Sequence, residues 1–407
     1  MQRFHSLIRA GVKEGYSDIH ISGDHPVVCR KNGKIVFTND SYTCEQIDTL
    51  TLSLLEPHEL KMLKTRLSVD LARSVAHIRI RVNVFYTVRG LSLAVRLLPG
   101  RIPNFNDLNL LPDLKDYCDL SSGLILICGA TGSGKSTTIA AFLAEINRNR
   151  DCHIITLEDP VEYRFSSNKS YIEQRELGTH IKSFDQGLQD VLREDPDVIM
   201  VGELREPETI RLTLNAVESG HLVIASLHAT NSEDALYRMC NSFPPDAQDM
   251  VRTQLSSVLS VLIVQKLEFN PNFGFRIPIL SILKGTNSVK STIRDNRFAQ
   301  IESILQTGRG EGMYTQEKYE SEYINTKTRL TPPSISFKPS TEIAAHRVYR
   351  SPVVDQNGDL ENKNGISHSH QKKRPAVISG HNESGQYVIK GNSSVKDIIS
   401  ELQNPDQ

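Results

Sequence analysis

One complete phosphate-binding motif constrains the fold of this chain more than any other feature of its sequence. Residues 129–136 read G-A-T-G-S-G-K-S and directly follow the apolar run Leu124–Ile127. This context predicts a buried strand, a glycine-rich turn and a helix that begins near Lys135. The backbone N–H groups of such a turn can surround a polyphosphate, and the helix N-terminus adds partial positive charge. A chance glycine turn is the alternative, but the full pattern in this order favours a nucleoside triphosphate site.

The motif assigns roles to individual residues of the loop. Lys135 is expected to reach the β- and γ-phosphates, and the Ser136 hydroxyl is expected to ligate Mg²⁺. The residues predicted to contact the triphosphate are Gly129, Ala130, Thr131, Gly132, Ser133, Gly134, Lys135, Ser136 and Thr137.

Composition and charge exclude several classes of protein. The 407 residues carry 47 lysines and arginines against 48 aspartates and glutamates, a formal charge of −1, so no global field attracts nucleic acid or an acidic membrane. No apolar stretch approaches the roughly 20 residues that span a bilayer, and the N-terminus lacks the apolar core of a signal peptide. The six cysteines form no C-x-x-C pair, which argues against a zinc site and a disulfide framework. We expect a soluble cytoplasmic protein.

Residues 1–100 read as a small α/β domain. The predicted elements are a helix over Phe4–Lys13, a strand at Ser17–Ile21, a hairpin turn at Lys31–Gly33, a helical stretch over Glu45–Lys64, and strands at Ile78–Val84 and Leu91–Leu97. In the strand that begins at Ile78, apolar residues alternate with Arg79, Arg81 and Asn83. These arginines form either a solvated face or a row directed across a cleft toward the nucleotide.

The rest of the chain divides into three segments. A hinge is predicted at 101–110, next to the Pro-Gly pair at 99–100. Residues 111–330 alternate strands with helices, which indicates a parallel sheet wound by βαβ units. Its predicted strands include Leu124–Ile127, Ile154–Leu157, Val198–Val201 and Leu222–Ala225. Residues 331–407 are poor in large apolar side chains and are expected to be disordered. Within them, Ser394–Leu402 reads as a short amphipathic helix, either a docking peptide or a chance pattern.

Three segments after the loop carry residues suited to phosphoryl transfer to water. The acidic segment Thr156–Glu162 follows a strand, and ligands of parallel sheets bind at the carboxyl ends of strands; an ordinary acidic turn is the alternative. The apolar strand at 198–201 leads to Glu203, as in a Walker B segment, with Gly202 in place of the usual Asp. Glu203 would act on the metal through a water, unless the glycine marks an inactive site. His221 and His228 flank a third strand. His228 either senses the γ-phosphate or has a purely structural role.

Together these motifs resemble a known family. The loop motif, the acidic segment Thr156–Glu162, D-P-D-V-I-M-V-G-E-L-R and G-H-L-V-I-A-S-L-H-A-T resemble the ATPases of type II and type IV secretion machines, and among them the PilT-like retraction ATPases of type IV pili. The resemblance extends from about Ser17 to about Gly312. It implies an α/β fold in which a RecA-like P-loop ATPase domain follows a smaller PAS-like domain. It also implies a ring of six copies that hydrolyses ATP with Mg²⁺ and rotates one domain against the next.

The resemblance also assigns roles to residues at matching positions. Glu162 corresponds to the general base for water and Glu203 to the Walker B glutamate, for which Gly202 is the normal neighbour. The implied catalytic residues are Lys135, Glu162, Glu203 and His228, and the implied metal contacts are Ser136 and Glu203. His221, Arg79, Arg81 and Arg96 match residues that approach the nucleotide, and Arg193, Arg205 and Arg238 match further motif arginines.

Two features bear on the direction of the motor. The chain lacks the C-x-x-C metal motif and the long N-terminal extension that are common in assembly ATPases, which favours retraction. The helix motif of the retraction branch, A-I-R-N-L-I-R-E, is matched only by Ser288–Asp295, where Ile293 and Arg294 alone are identical. An assembly, secretion or conjugation motor is therefore the alternative within the family.

The expected partners follow from the family. They are five further copies of the chain, an inner-membrane platform protein that would hold the ring at the cytoplasmic face of the membrane, and a paralogous motor ATPase. A DNA-translocating ring and a non-catalytic ring partner are less favoured alternatives, and no sequence-specific nucleic acid is expected.

Overall fold

Two separate sheets organise the N-terminal part of the chain. The structure is a computed structural model that describes residues 1–31, 33–98 and 100–332, together with the backbone of two short strands at 377–381 and 387–390. The chain divides into two units, Met1–Ser351 and Pro352–Gln407. Both sheets described next belong to the first unit.

The first sheet has six strands, and every neighbouring pair is antiparallel. Its strands are β1 (Asp18–Ser22), β2 (His25–Lys31), β3 (Lys34–Tyr42), β4 (Ser68–Val75), β5 (Ile78–Thr87) and β6 (Gly90–Leu97), in the order β3-β2-β1-β6-β5-β4. Helices α1 (Gln2–Glu14), α2 (Cys44–Leu54) and α3 (Pro57–Arg66) accompany it. The predicted helical stretch over Glu45–Lys64 consists of two helices, because Pro57 cannot continue α2 and instead begins α3.

Strand β5 separates an apolar face from a polar one. Ile78, Ile80, Val82 and Val84 are buried in the core of this sheet, whereas the alternating arginines are partly exposed on its other face. The strand therefore presents Arg79 and Arg81 together on one side, as the alternation predicts.

The second sheet has seven strands, in the order β13-β12-β7-β11-β10-β8-β9. They are β7 (Gly123–Cys128), β8 (His153–Glu158), β9 (Tyr171–Glu176), β10 (Val198–Val201), β11 (Leu222–Leu227), β12 (Leu259–Asn270) and β13 (Phe275–Lys284). All neighbours are parallel except the β12–β13 hairpin. The four predicted strands are present, whereas β9, β12 and β13 were not among the predictions.

Helices and hydrophobic side chains cover both faces of this parallel sheet. The helices are α4 (Lys135–Asn149), α5 (Phe184–Val191), α6 (Pro207–Glu218), α7 (Ser232–Asn241), α8 (Pro245–Val258), α9 (Asn287–Arg294), α10 (Ile301–Thr307) and α11 (Gln316–Tyr319). Residues of β7 alternate between two cores: Leu124 and Leu126 pack on one side, and Ile125 and Ile127 on the other. A strand buried on both faces reads as a continuous apolar run, which is the pattern of β7 in the sequence.

The predicted α/β fold with a parallel sheet and a smaller N-terminal sheet domain is confirmed. The predicted boundaries at residues 100, 110 and 330 stay predictions. In the segment predicted to be disordered, Val377–His381 and Tyr387–Lys390 form an antiparallel strand pair. Ser394–Leu402 lies outside the described residues.

Candidate nucleotide site

The phosphate-binding loop lies between β7 and α4, as the sequence predicts. Gly129 has φ +153° and Gly134 has φ +91°, a backbone region that favours glycine. A Cβ at Gly129 would also lie 2.3 Å from the backbone oxygen of Gln265, so no side chain fits there. Among the described residues, no side chain caps α4 at Gly134. The first N–H groups of the helix, which have no partner within it, therefore stay available to an anion.

Lys135 folds back over its own loop. Its Nζ donates hydrogen bonds to the backbone oxygens of Gly129 (2.8 Å) and Ala130 (3.1 Å). Burial lowers the pKa of Lys135, whereas the nearby carboxylates of Glu203 and Glu162 oppose that shift. The amine thus lies within electrostatic reach of both predicted catalytic carboxylates.

A buried glutamine from β12 holds the loop from behind. The Gln265 Nε2 donates to the Ser133 backbone oxygen, and its Oε1 accepts from the Thr138 hydroxyl, each at 2.7 Å. The residue is 3% exposed, so both hydrogen bonds are shielded from water. Gln265 was not predicted from the sequence, because β12 was not among the predicted strands and no motif includes this residue.

Glu203 lies at the carboxyl edge of the parallel sheet, two residues after β10. Its carboxylate pairs with Arg205, and one oxygen lies 3.2 Å from the His228 Nε2. The preceding glycine has a steric explanation: a Cβ at Gly202 would lie 3.0 Å from the Leu157 backbone oxygen and 3.3 Å from the Glu158 Cα. An aspartate would therefore crowd the end of β8, so the local packing explains the glycine at position 202.

His228 follows β11 and belongs to the same cluster. Burial lowers its pKa, the positive charge of Lys135 lowers it further, and Glu203 opposes both. The lowered pKa favours the neutral imidazole, and a neutral ring can donate one N–H to the Glu203 carboxylate.

The acidic segment comprises the end of β8 and the turn that follows it. Its two glutamates, Glu158 and Glu162, differ in environment. Glu158 is 8% exposed, and it accepts hydrogen bonds from the Thr156 hydroxyl (2.7 Å) and the Gln174 side-chain amide (3.0 Å). Burial raises the pKa of Glu158 to about 7 in spite of these hydrogen bonds. Glu162 is only half-buried and lies near Lys135.

The residues on either side of Glu162 are held in place. The Val161 N–H donates to the Glu176 carboxylate at 3.1 Å. The buried Tyr163 places its hydroxyl 3.0 Å from the Thr137 hydroxyl of α4, and its backbone oxygen accepts from Gln174 at 2.8 Å. These contacts tie the acidic turn to the helix that begins at the loop. Tyr163 adjoins Glu162 in the sequence, which is the only signal that could have identified it.

The three arginines predicted to approach the triphosphate have different surroundings. Arg96 is paired with Asp18 at 2.9 Å, and its side chain is 58% exposed. Arg81 is paired with Asp70 and also senses the charges of Asp159 and Glu162. Arg79 instead contacts the Val161 oxygen of the acidic turn and the carboxylate of Glu176 on β9. That Arg79 reaches the phosphates stays a prediction.

His221 does not join the site of its own chain. It precedes Leu222, which pairs with Gly123 at the start of β7, so it lies at the opposite edge of the sheet from the loop, roughly 20 Å away along the strand. Its Nδ1 lies 2.7 Å from the Ala216 backbone oxygen. Within one chain His221 thus lies apart from the loop, because β11 separates its two ends by its full length. That His221 binds the nucleotide stays a prediction.

The three further motif arginines also differ in position. Arg205 is paired with Glu203, and Arg238 is paired with Asp234 at 2.9 Å while it lies near enough to influence His228. Arg193 is exposed beyond α5.

Two cavities adjoin the loop, and each has the size of a small-molecule site. One, of about 570 Å³, is lined by residues 129–133 and by Gln265, Lys266, Phe269 and Arg276 of the β12–β13 hairpin. The other, of about 600 Å³, is lined by Thr137, Thr138 and Tyr163, by residues 107–109 and by the same hairpin. A nucleotide on the loop would thus have room on both sides of it.

The residues present suit Mg²⁺ as a partner of a bound triphosphate. The Ser136 hydroxyl, in the first turn of α4, and the Glu203 carboxylate supply the hard oxygen donors that Mg²⁺ prefers. Within the part of the chain that the structure describes, no group of three or more His, Cys, Asp or Glu could hold a metal ion by itself. A magnesium ion there would therefore take most of its ligands from phosphates and water.

Comparison with known proteins identifies the family. The model of the family described as "Type II/IV secretion system protein" matches residues 7–331. The chain belongs to this family. It is a PilT-like member of these secretion ATPases, as its sequence motifs predict: it is 36% identical over 311 residues to the "Type IV pilus retractation ATPase PilT" of Pseudomonas aeruginosa, across 76% of this chain and 90% of that protein.

Two further proteins extend the comparison of this PilT-like ATPase. An uncharacterized protein of Escherichia coli, YggR, is 40% identical over 316 residues, which are 77% of this chain and 96% of that protein. The crystal structure of the pilus retraction motor PilT with bound ADP superposes with a TM-score of 0.72 at 34% identity, across 83% of this chain and 98% of that one. The predicted RecA-like fold is confirmed by this match. Among the described residues, no helix is both long and apolar enough to cross a membrane.

Proposed function

We propose that this protein is a Mg²⁺-dependent ATP hydrolase that works as a ring of six copies and powers the retraction of type IV pili. One observation carries the proposal: the carboxylates of Glu162 and Glu203 both lie within electrostatic reach of Lys135, beside a complete phosphate-binding loop, in a chain similar to PilT over most of its length. The ADP bound in the PilT crystal structure supports nucleotide binding at the same loop here.

The side chains of the site suit hydrolysis of the γ-phosphate. Glu162 would accept a proton from the attacking water, which a half-buried carboxylate at the rim of the site can do. Lys135 would leave the carbonyls of its own loop and neutralise phosphate charge together with the N-terminus of α4. Glu203 would be oriented by Arg205 and His228 and would position water. Mg²⁺, held by Ser136 and the phosphates, would neutralise further charge on the triphosphate.

The proposed partners follow from the proposed activity. Retraction needs a ring that applies force to a pilus base, so we expect six copies of this chain on the cytoplasmic side of an inner-membrane platform protein, with a paralogous motor as a further partner. In a ring, Arg81 and Arg96 would be available to a neighbouring nucleotide, since both are partly exposed.

An assembly or secretion motor is a second candidate, favoured by one observation. Of the two residues that match the retraction helix motif, Ile293 is fully buried in α9 and is explained by packing, while Arg294 alone is exposed. The motif therefore gives little support to retraction over assembly.

A count of surface pili distinguishes these functions. Cells that lack this protein would be compared with cells complemented by the wild type and by Lys135→Ala. Excess pili that only the wild type corrects are the expected result. Bald cells would identify an assembly motor, and unchanged piliation would contradict both pilus functions in that host.

A further inference from the structure

The peptide groups of Val161 are held by an ion pair. The Val161 N–H donates to the Glu176 Oε2 at 3.1 Å, and the Val161 oxygen accepts from an Arg79 guanidinium nitrogen at 3.4 Å. The same two side chains pair with each other at 3.4 Å. Val161 directly precedes Glu162, so this arrangement fixes the chain immediately before the proposed general base.

The pair joins the two sheets. Arg79 lies on β5 of the N-terminal sheet, and Glu176 is the last residue of β9, the edge strand of the parallel sheet. A movement of about 1 Å that separates the two sheets would lengthen both Arg79 contacts, each now 3.4 Å, beyond hydrogen-bonding distance.

Its surroundings are unfavourable for a merely structural ion pair. The two side chains are 14% and 15% exposed, and charges removed from water cost several kcal/mol each unless they are well partnered. Burial and the like charge of Arg164 together lower the pKa of Arg79 to about 10, although Glu176 opposes the shift. Within the described residues, the Arg79 Nε has no hydrogen-bond partner. Since such a pair contributes little to stability, a positional role accounts for it better.

We propose that Arg79 and Glu176 form a clamp that sets the position of Glu162, and that the clamp makes ATP hydrolysis depend on how the N-terminal sheet lies against the parallel sheet. Both are positioning residues, because they touch the backbone beside Glu162 and not the reacting atoms. The proposal rests on the proposed function, since Glu162 is the general base only if the chain hydrolyses ATP. A displacement of about 1 Å in a catalytic group can cost roughly 100-fold in rate, so a small movement suffices for control.

The test uses Arg79→Gln, Glu176→Gln and the double variant in the full-length protein. Turnover number and KM for ATP would be measured together with the Kd for a fluorescent ADP. We expect each single variant to lower the turnover number by roughly 10- to 100-fold, to leave the Kd within about threefold, and to act non-additively in the double variant. Glu194→Gln is the matched control: it breaks the Arg175–Glu194 pair, also formed by a β9 residue, and should leave turnover unchanged.

A second measurement separates this inference from the proposed function. Hydrogen exchange of a peptide that covers residues 158–164 should be faster in Arg79→Gln than in the wild type, whether or not the protein hydrolyses ATP. A wild type without ATPase activity contradicts the proposed function alone. Unchanged exchange and turnover in both single variants overturn the clamp. A large loss of nucleotide affinity in Arg79→Gln, with Glu176→Gln unaffected, would also overturn it, because Arg79 would then contact the nucleotide.

Discussion

The Glu203 carboxylate and the His228 imidazole meet at 3.2 Å across the carboxyl edge of the parallel sheet. One follows β10 and the other follows β11, and these strands are hydrogen-bonded neighbours. Parallel pairing therefore brings together two residues that are separated by a helix and a strand in the sequence. Their contact links the proposed Walker B glutamate to the proposed γ-phosphate sensor.

Glu203→Gln should abolish hydrolysis and spare nucleotide binding. The substitution preserves the shape of the side chain but removes the charge that pairs with Arg205 and orients His228. We expect the turnover number to fall by roughly 100-fold or more, the scale of a misplaced reacting group, while the Kd for ADP changes by less than about threefold. Glu208→Gln, which breaks an exposed ion pair with Arg211, is the control. Unchanged turnover in Glu203→Gln would remove Glu203 from the mechanism.

Gln265→Met should loosen the phosphate-binding loop. Methionine fills a similar volume but leaves the Ser133 oxygen and the Thr138 hydroxyl without their buried partner. An unsatisfied buried group costs about 1–3 kcal/mol, so we expect a lower free energy of unfolding. The Kd for ADP should rise by roughly tenfold, because the loop is less preorganised. Urea unfolding and calorimetric titration measure both effects.

The control for that experiment is Gln254→Met on α8, which removes a side-chain contact with Glu218 far from the loop. Adding Thr138→Val to Gln265→Met should restore part of the lost stability, since it removes one orphaned hydroxyl. An ADP affinity in Gln265→Met equal to that of the wild type would show that the glutamine does not preorganise the loop.

Glu158→Gln should remove a pH dependence of stability. In the folded chain the pKa of Glu158 is about 7 against an ordinary value of 4.5, so the native state keeps a proton that the unfolded state has lost. Stability therefore falls as the pH rises from about 4.5 to about 7 and stays constant above that range. The loss is at most about 3 kcal/mol. Glutamine imitates the protonated acid, so the stability advantage of the variant over the wild type should be small at pH 5 and larger at pH 8.

Urea unfolding of both proteins at the two pH values measures this difference. Glu233→Gln, at an exposed position on α7, serves as the control and should change nothing between them. If the wild type and Glu158→Gln differ by the same amount at pH 5 and at pH 8, Glu158 does not keep its proton in the folded chain.

Local patterns predicted much of this fold. The apolar runs of β7, β8, β10 and β11 identified the centre of the parallel sheet, because strands buried on both faces leave a continuous hydrophobic signal. The β12–β13 hairpin escaped prediction, although β12 pairs with β7 directly beside the loop. Apolar-rich runs at 259–264 and 277–283 flank its turn, so the two strands themselves could be read locally. The pairing of β12 with β7 joins distant residues and leaves no such pattern.

The sequence by itself determined the loop, the parallel α/β fold and the family, since each depends on residue types at fixed spacing along the chain. It also identified Lys135, Glu162 and Glu203 as candidates, because their motifs are local. Only the tertiary structure decided which side chains meet: it brought Gln265 against the loop, placed His221 at the far edge of the sheet and turned Arg79 onto the acidic turn. These outcomes depend on strand order and on the packing of one sheet against another. Such contacts join residues that are distant in the sequence, and no local pattern predicts which of them meet.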